Sequence, residues 1–125
     1  MAKYNPYIKY LGPEDHLQKA VMDYIKMQYP GTVMAHPANE GKRTPFERFK
    51  VKYLGMATGI CDLLIFTPSK QYVGLAIELK VGYNKPTDAQ KKWIEDLKNC
   101  DWYSICLNDF DKCKLIIDQY FNNGL

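Results

Sequence analysis

A carboxylate, Asp62, heads the apolar run Leu63-Leu-Ile-Phe66 and follows a glycine-framed stretch, Gly55-Met-Ala-Thr-Gly59. Further on, Ala76-Ile-Glu78-Leu-Lys80 alternates apolar residues with an acid and then a base. Side chains alternate faces along a strand, so Glu78 and Lys80 share one face while Ile77 and Leu79 take the other. A hairpin from 62–66 into 72–77 would bring Asp62 alongside that pair. Two carboxylates and an ammonium converging in this way suit a hard divalent cation and the activation of water at a phosphodiester. The chemistry they point to is that of a metal-dependent nuclease. Taken singly, Asp62 reads as a strand-entry cap, and Glu78–Lys80 as a same-face ion pair of little energetic consequence.

The elements that would position these residues follow from periodicity and punctuation. Residues 14–28 carry Leu17, Ala20, Val21, Tyr24 and Ile25 on one stripe at helical spacing, with Pro13 suited to the first turn. Tyr29-Pro30-Gly31 breaks that helix, and 32–36 is a short strand. Thr44 and Pro45 cap and open a basic helix running to about 54. Strands are expected over 61–66 and 72–80, joined by the turn Thr67-Pro-Ser-Lys-Gln71. Thr87-Asp-Ala-Gln90 has the spacing of a capping box, opening a helix with Ala89, Trp93, Ile94, Leu97 and Cys100 inward. A strand over 102–107 follows. Asn108 would then cap a last helix with Phe110, Cys113, Ile117 and Tyr120 on its core face. The order is αβαββαβα, an α/β chain with a mixed β-sheet flanked by α-helices.

The 125 residues suit one domain. No apolar run approaches the ~20 residues a membrane span needs, and Met-Ala-Lys-Tyr-Asn-Pro has no signal-peptide pattern. An intracellular, cytoplasmic protein with no membrane association is expected. The cysteines Cys61, Cys100, Cys106 and Cys113 form no CxxC pair, and His16 and His36 are the only histidines. That speaks against a zinc or iron–sulfur centre. Cys61, Cys106 and Cys113 read as small buried hydrophobes in a reducing compartment. The formal charge is +3. Lys42, Arg43, Arg48, Lys50 and Lys52, against Glu40 and Glu47, hold that whole excess in one segment. Such a patch beside an acidic centre suits a phosphate backbone, although a basic run taken alone reads more readily as a solvated helix face.

The full series resembles a known family. Gly55-x3-Gly59-x2-Asp62-Leu, then Ile77-Glu78-Leu-Lys80, then Gln90 opening a helix, is similar to the VRR-Nuc domain of the PD-(D/E)XK nuclease superfamily. Upstream, Glu14 begins the first helix with Gln18 one turn on, and Asn39-Glu-Gly-Lys-Arg43 resembles the family's Asn…Arg loop. The likeness covers about 14–121, leaving 1–13 as an N-terminal extension to a single nuclease domain over 1–125. Cys61 stands where the superfamily commonly has proline, a turn-shaping position and not a metal ligand.

The resemblance implies a restriction-endonuclease-like fold and a set of roles. Asp62, Glu78 and the Leu79 carbonyl would hold Mg²⁺ or Mn²⁺, hard ions favoured by oxygen-only ligation. Lys80 would orient the attacking water and offset charge on the phosphorane-like transition state. Glu14 either binds a second ion or a metal-bound water, or is a first-turn acid complementing the helix dipole. Gln90 orients Lys80 or the water, or partners Thr87 in its capping box; both can hold. Asn39, Lys42, Arg43, Arg48 and Lys50 would bind phosphates without reading sequence. Stand-alone members of the resembled family are viral or phage enzymes acting on branched DNA such as four-way (Holliday) junctions. The implied protein is a bacteriophage-type endodeoxyribonuclease at work in the host cell. Cutting two strands symmetrically needs two active centres, hence a homodimer. Two rivals remain: a sequence-specific endonuclease on the same scaffold, and a non-catalytic nucleic-acid-binding module.

Overall fold

The computed structural model describes residues 5–37 and 44–125. A 3₁₀ turn, Pro6–Tyr10, is opened by the Asn5 side chain, which accepts from Tyr7 N–H. Helix α1, Pro13–Gln28, begins where Gly12 N–H donates to Asp15 Oδ2 at 2.9 Å. Strand β1 is Met34–Ala35, shorter than periodicity suggests. Helix α2, Pro45–Tyr53, is capped as expected by Thr44, whose Oγ1 accepts from Glu47 N–H. Strands β2, Leu63–Ile65, and β3, Gly74–Leu79, precede α3, Asp88–Lys98. Strand β4, Trp102–Leu107, leads to α4, Phe110–Phe121.

The fold is the expected mixed sheet with flanking helices. Its strands lie in the order β1-β2-β3-β4. The first two pairings are antiparallel, and β3–β4 is parallel, with α3 as the crossover that parallel neighbours require. One face packs Leu63, Ile65, Leu75, Ile77 and Leu79 against Val21 and Ile25 of α1 and Cys113, Ile117 and Tyr120 of α4. The opposite face places Leu64 and Ala76 beneath Ile94 of α3, with Cys61 in the same cluster. Helices on both faces explain why every residue of β2 and β3 is buried. Gly74 is forced by close approach: any Cβ there would run into the Trp102 ring.

Three expectations are revised. The cap of α4 is Asp109, whose carboxylate accepts from Lys112 N–H at 2.8 Å; Asn108 instead accepts from the Lys112 ammonium. Ala20 and Ala89 are exposed, because α1 and α3 dock with narrower stripes than their apolar content suggests, and Cys100 is exposed because α3 ends at Lys98, before it. Gln18 and Gln90 are buried in their place. Cys106 is only half-buried. Among the described residues no helix is long and apolar enough to cross a membrane.

Helices α1 and α4 are joined by a polar clasp. The hydroxyls of Tyr24 and Tyr29 both donate to Asp118 Oδ1, at 2.5 and 2.6 Å, while Lys114 reaches Oδ2 at 3.0 Å. Tyr29 stacks on Phe121 at 4.3 Å. Burial works against the Asp118 charge, but the hydrogen bonds from Tyr24, Tyr29 and Lys114 outweigh it and hold the carboxyl below its ordinary range. Asp118→Ala leaves two phenols without an acceptor and should cost about 1–3 kcal/mol in urea unfolding. Asp118→Asn keeps a carbonyl acceptor and should lose less.

Candidate active site

Four segments converge on the carboxyl-terminal half of β3. The antiparallel register pairs Leu63 with Ile77, so Asp62, one residue before β2, lies opposite Glu78. Its orientation is fixed from two sides. Leu79 N–H donates to Asp62 Oδ2 at 2.8 Å, and His36 Nδ1 lies 2.5 Å from the Asp62 carbonyl oxygen. A carbonyl only accepts, so that contact requires the proton on Nδ1. The entry loop is held as tightly. Gly59 has φ +75°, and a Cβ there would meet Ala89 Cβ at 2.7 Å and the Ala89 carbonyl carbon at 2.9 Å. The Trp93 indole N–H donates to the Thr58 carbonyl at 2.9 Å, clamping loop and α3 together.

Glu78 is fully buried, and neither of its carboxyl oxygens has a hydrogen-bond partner. Lys80 Nζ is 3.8 Å from Glu78 Oε1, a distance for charge attraction and not for a strong hydrogen bond. Burial pushes the Glu78 carboxyl up to about 9, the adjacent Asp62 carboxyl adds to the rise, Lys80 partly offsets it, and Glu14 contributes further. An ionised group in this position is costly unless a cation meets it. One oxygen from each of Glu14, Asp62 and Glu78 lies within 4.8 Å of the others. Orphaned buried oxygens in an all-carboxylate cluster fit a hard divalent ion.

The structure brings together Glu14, Asp62, Glu78 and Lys80. Leu79 is in the same place through its backbone. Gln90 is buried at the start of α3, and its side-chain oxygen accepts from Thr87 N–H at 2.8 Å while its own N–H donates to Thr87 Oγ1 at 3.2 Å. These bonds complete the capping box, and none joins Gln90 to Lys80. Arg48 and Lys50 lie on exposed α2. Asn39, Lys42 and Arg43 lie outside the described residues. Cys61 is buried, and burial, followed by the charges of Glu78 and Asp62, pushes its thiol up to about 12. It fills space and is no nucleophile.

Sequence reasoning gave two further positions no role in the site. His36 by type reads as a surface or packing residue before a catalytic base, yet it braces the Asp62 backbone; the available signal was β1–β2 pairing, which depends on a two-residue strand. Gln18 is nine-tenths buried with both amide atoms unpartnered, one helical turn beyond Glu14. Its place one turn after Glu14 in the resembled pattern was the signal for it, but not for its burial.

The chain's likeness to known proteins agrees with this geometry. The family pattern described as the VRR-NUC domain matches residues 9–108. A solved structure of a protein described as a VRR_NUC domain protein is similar over 91% of this chain and 92% of that one, with 28% sequence identity and a TM-score of 0.73. No curated protein matches the chain.

The buried carboxyl sets a pH dependence. An unfolded glutamate titrates near 4.3, so between about 4.3 and about 9 the native chain retains a proton that the unfolded chain has lost. Native stability is therefore full below that window and falls as pH rises through it. Thermal unfolding in chelator should show Tm dropping across this range. Glu78→Gln, which keeps a neutral side chain of the same shape, should flatten the slope.

Proposed function

The chain belongs to the VRR-NUC domain family, a nuclease-type domain, and on that premise we propose that it is a Mg²⁺- or Mn²⁺-dependent endonuclease. Its substrate in this reading is DNA, preferentially branched DNA such as a four-way junction, cut by a homodimer. One nuclease domain spans residues 1–125. The observation that carries the reading is the pair of orphaned Glu78 oxygens within a three-carboxylate cluster, with Lys80 Nζ at 3.8 Å. A structural ion pair on a solvated sheet surface would leave neither oxygen buried and unmet, so the binding-module alternative has no such support.

Asp62, Glu78 and the Leu79 carbonyl are the groups that would hold the ion, with Glu14 in the same cluster. A bound divalent cation supplies Lewis-acid charge at the scissile phosphate. The Leu79 N–H bond to Asp62 Oδ2 fixes that carboxylate before substrate arrives and keeps Oδ1 outside the bond. Lys80, with Nζ 3.8 Å from Glu78 Oε1, serves as an orienting donor and a counter-charge in place of a general base. Water adds to phosphorus as one P–O ester bond breaks, its proton passing to solvent while the departing ester oxygen takes one up from solvent, and the ammonium offsets the charge gathering on the non-bridging oxygens. Gln90 supports this arrangement by fixing the start of α3, which in turn holds the Gly59 loop.

Exposed Arg48 and Lys50, with Asn39, Lys42 and Arg43 of the preceding segment, supply phosphate contacts that carry no base information. Recognition by shape follows from that composition. Replication, recombination or packaging of a viral genome in the host cytoplasm are settings that fit it.

Labelled four-way junction, flap and linear duplex DNA should be incubated with Mg²⁺, Mn²⁺ or EDTA. Metal-dependent cutting of the junction is expected, reduced ~10²–10³-fold by Lys80→Ala. Equal cutting of all three substrates would remove the preference for branches, and cutting in EDTA would remove the metal. Independently of turnover, Mg²⁺ or Mn²⁺ should raise Tm by displacing the Glu78 proton, with a gain that grows from pH 6 to pH 8. Asp62→Asn and Glu78→Gln should lose that gain.

A further inference from the structure

Helix α2 buries none of its residues. Val51 alone among them is half-buried, which marks the side turned toward the body of the protein. The opposite side carries Phe46, Phe49 and Tyr53, and the stripe continues past the helix end to Met56. These residues are 65%, 57%, 75% and 53% exposed. Their spacing of three, four and three residues is that of a helix–helix seam.

We infer that this aromatic face of α2 is the surface through which the chain pairs with a second copy of itself. A solvated helix face carries scattered apolar residues, not a contiguous row of rings. At ~200 Å² for each of these large side chains, the stripe exposes roughly 500 Å². Two such faces pressed together bury on the order of 1,000 Å², the lower end of specific interfaces. The row is also self-complementary. In an antiparallel pairing about a two-fold axis, Phe46 of one copy faces Tyr53 of the other, with Phe49 near the axis.

Ring geometry favours a protein occupant over nucleic acid. Phe49 and Tyr53 are stacked on each other at 5.3 Å and 21°, and Lys50 Nζ sits 5.9 Å from the Phe46 centroid. Unpaired bases stack best on isolated rings with both faces free, and here one face of each ring is already taken by its neighbour. The edges and outer surfaces of the rings remain for interdigitation with other rings. Lys50 and Lys52 then border the seam, so the paired helices carry a positive rim suited to bridging two acidic centres.

The surface is inferred from exposure and spacing; only the choice of a second copy rests on the two-centre reading above. Light scattering across a concentration series should give wild-type chain a mass of twice 14.5 kDa. Phe49→Asp/Tyr53→Asp should halve that mass while leaving the far-UV spectrum unchanged, since this face is outside the core. Tyr53→Glu alone should weaken dimerisation at least tenfold. A wild-type chain that stays monomeric, or a double variant that stays dimeric, overturns the inference. So does a monomer whose affinity for labelled single-stranded oligonucleotide falls in the double variant, because nucleic acid would then be the occupant. The junction assay run beside it separates the two readings. A dimer that cuts nothing leaves this surface standing without the nuclease, and a monomer that cuts leaves the nuclease without this surface.

Discussion

A carboxyl group placed inside a sheet with nothing to bond to is the constraint on which the remainder of this molecule turns. Glu78 sits at zero exposure in the strand that pairs on both sides, facing Asp62 across one register and Cys106 across the other. Repulsion from the neighbouring acids and the loss of water would move it toward solvent in a softer structure. It stays because β3 is packed on both faces and because Asp62 is itself tied to the Leu79 amide. The apolar mass of the protein holds a polar defect in place, and that defect is where a hard cation fits.

The same constraint explains details that would otherwise look incidental. Asp62 is useful only if its strand enters at one height relative to β3, and the entry loop supplies that height. Gly59 lets Ala89 and Gln90 approach to van der Waals distance, and Thr58 is held by Trp93. The crossover helix therefore does two jobs. It links parallel strands, and it locks the loop that sets one of the acids. The Thr87–Gln90 capping box belongs to this chain of support, since a frayed first turn of α3 would loosen the Gly59 contact.

Much of this was legible from the sequence, for local reasons. Thr44-Pro45 and Thr87…Gln90 cap helices through atoms one turn apart, so the residues that carry the signal also make the bond. Alternation in 76–80 placed Glu78 and Lys80 on one face, and apolar runs gave the buried strands. What was hidden depends on neighbours distant in the chain. Strand β1 is two residues long and exists through pairing with β2, so its own residues could not mark its ends. Asn108 and Asp109 are equally good caps by type, and only the approach of Lys112 N–H distinguishes them. The inward turn of Gln18 in place of Ala20 reflects how α1 meets the sheet, which no stripe on α1 alone reveals.

The acids of the cluster come from three parts of the chain: the first turn of α1, the entry to β2 and the end of β3. Any partly folded species that lacks one of these elements lacks the cluster as well. Local openings that release α1 would disperse it even with the sheet intact. An ion held there is thus a ligand of the completed fold alone, and its binding free energy adds wholly to the native side of the folding equilibrium. Where divalent cations are plentiful, the cost of the buried glutamate falls on the ion-free native form alone, and half-folded forms gain nothing from the ion.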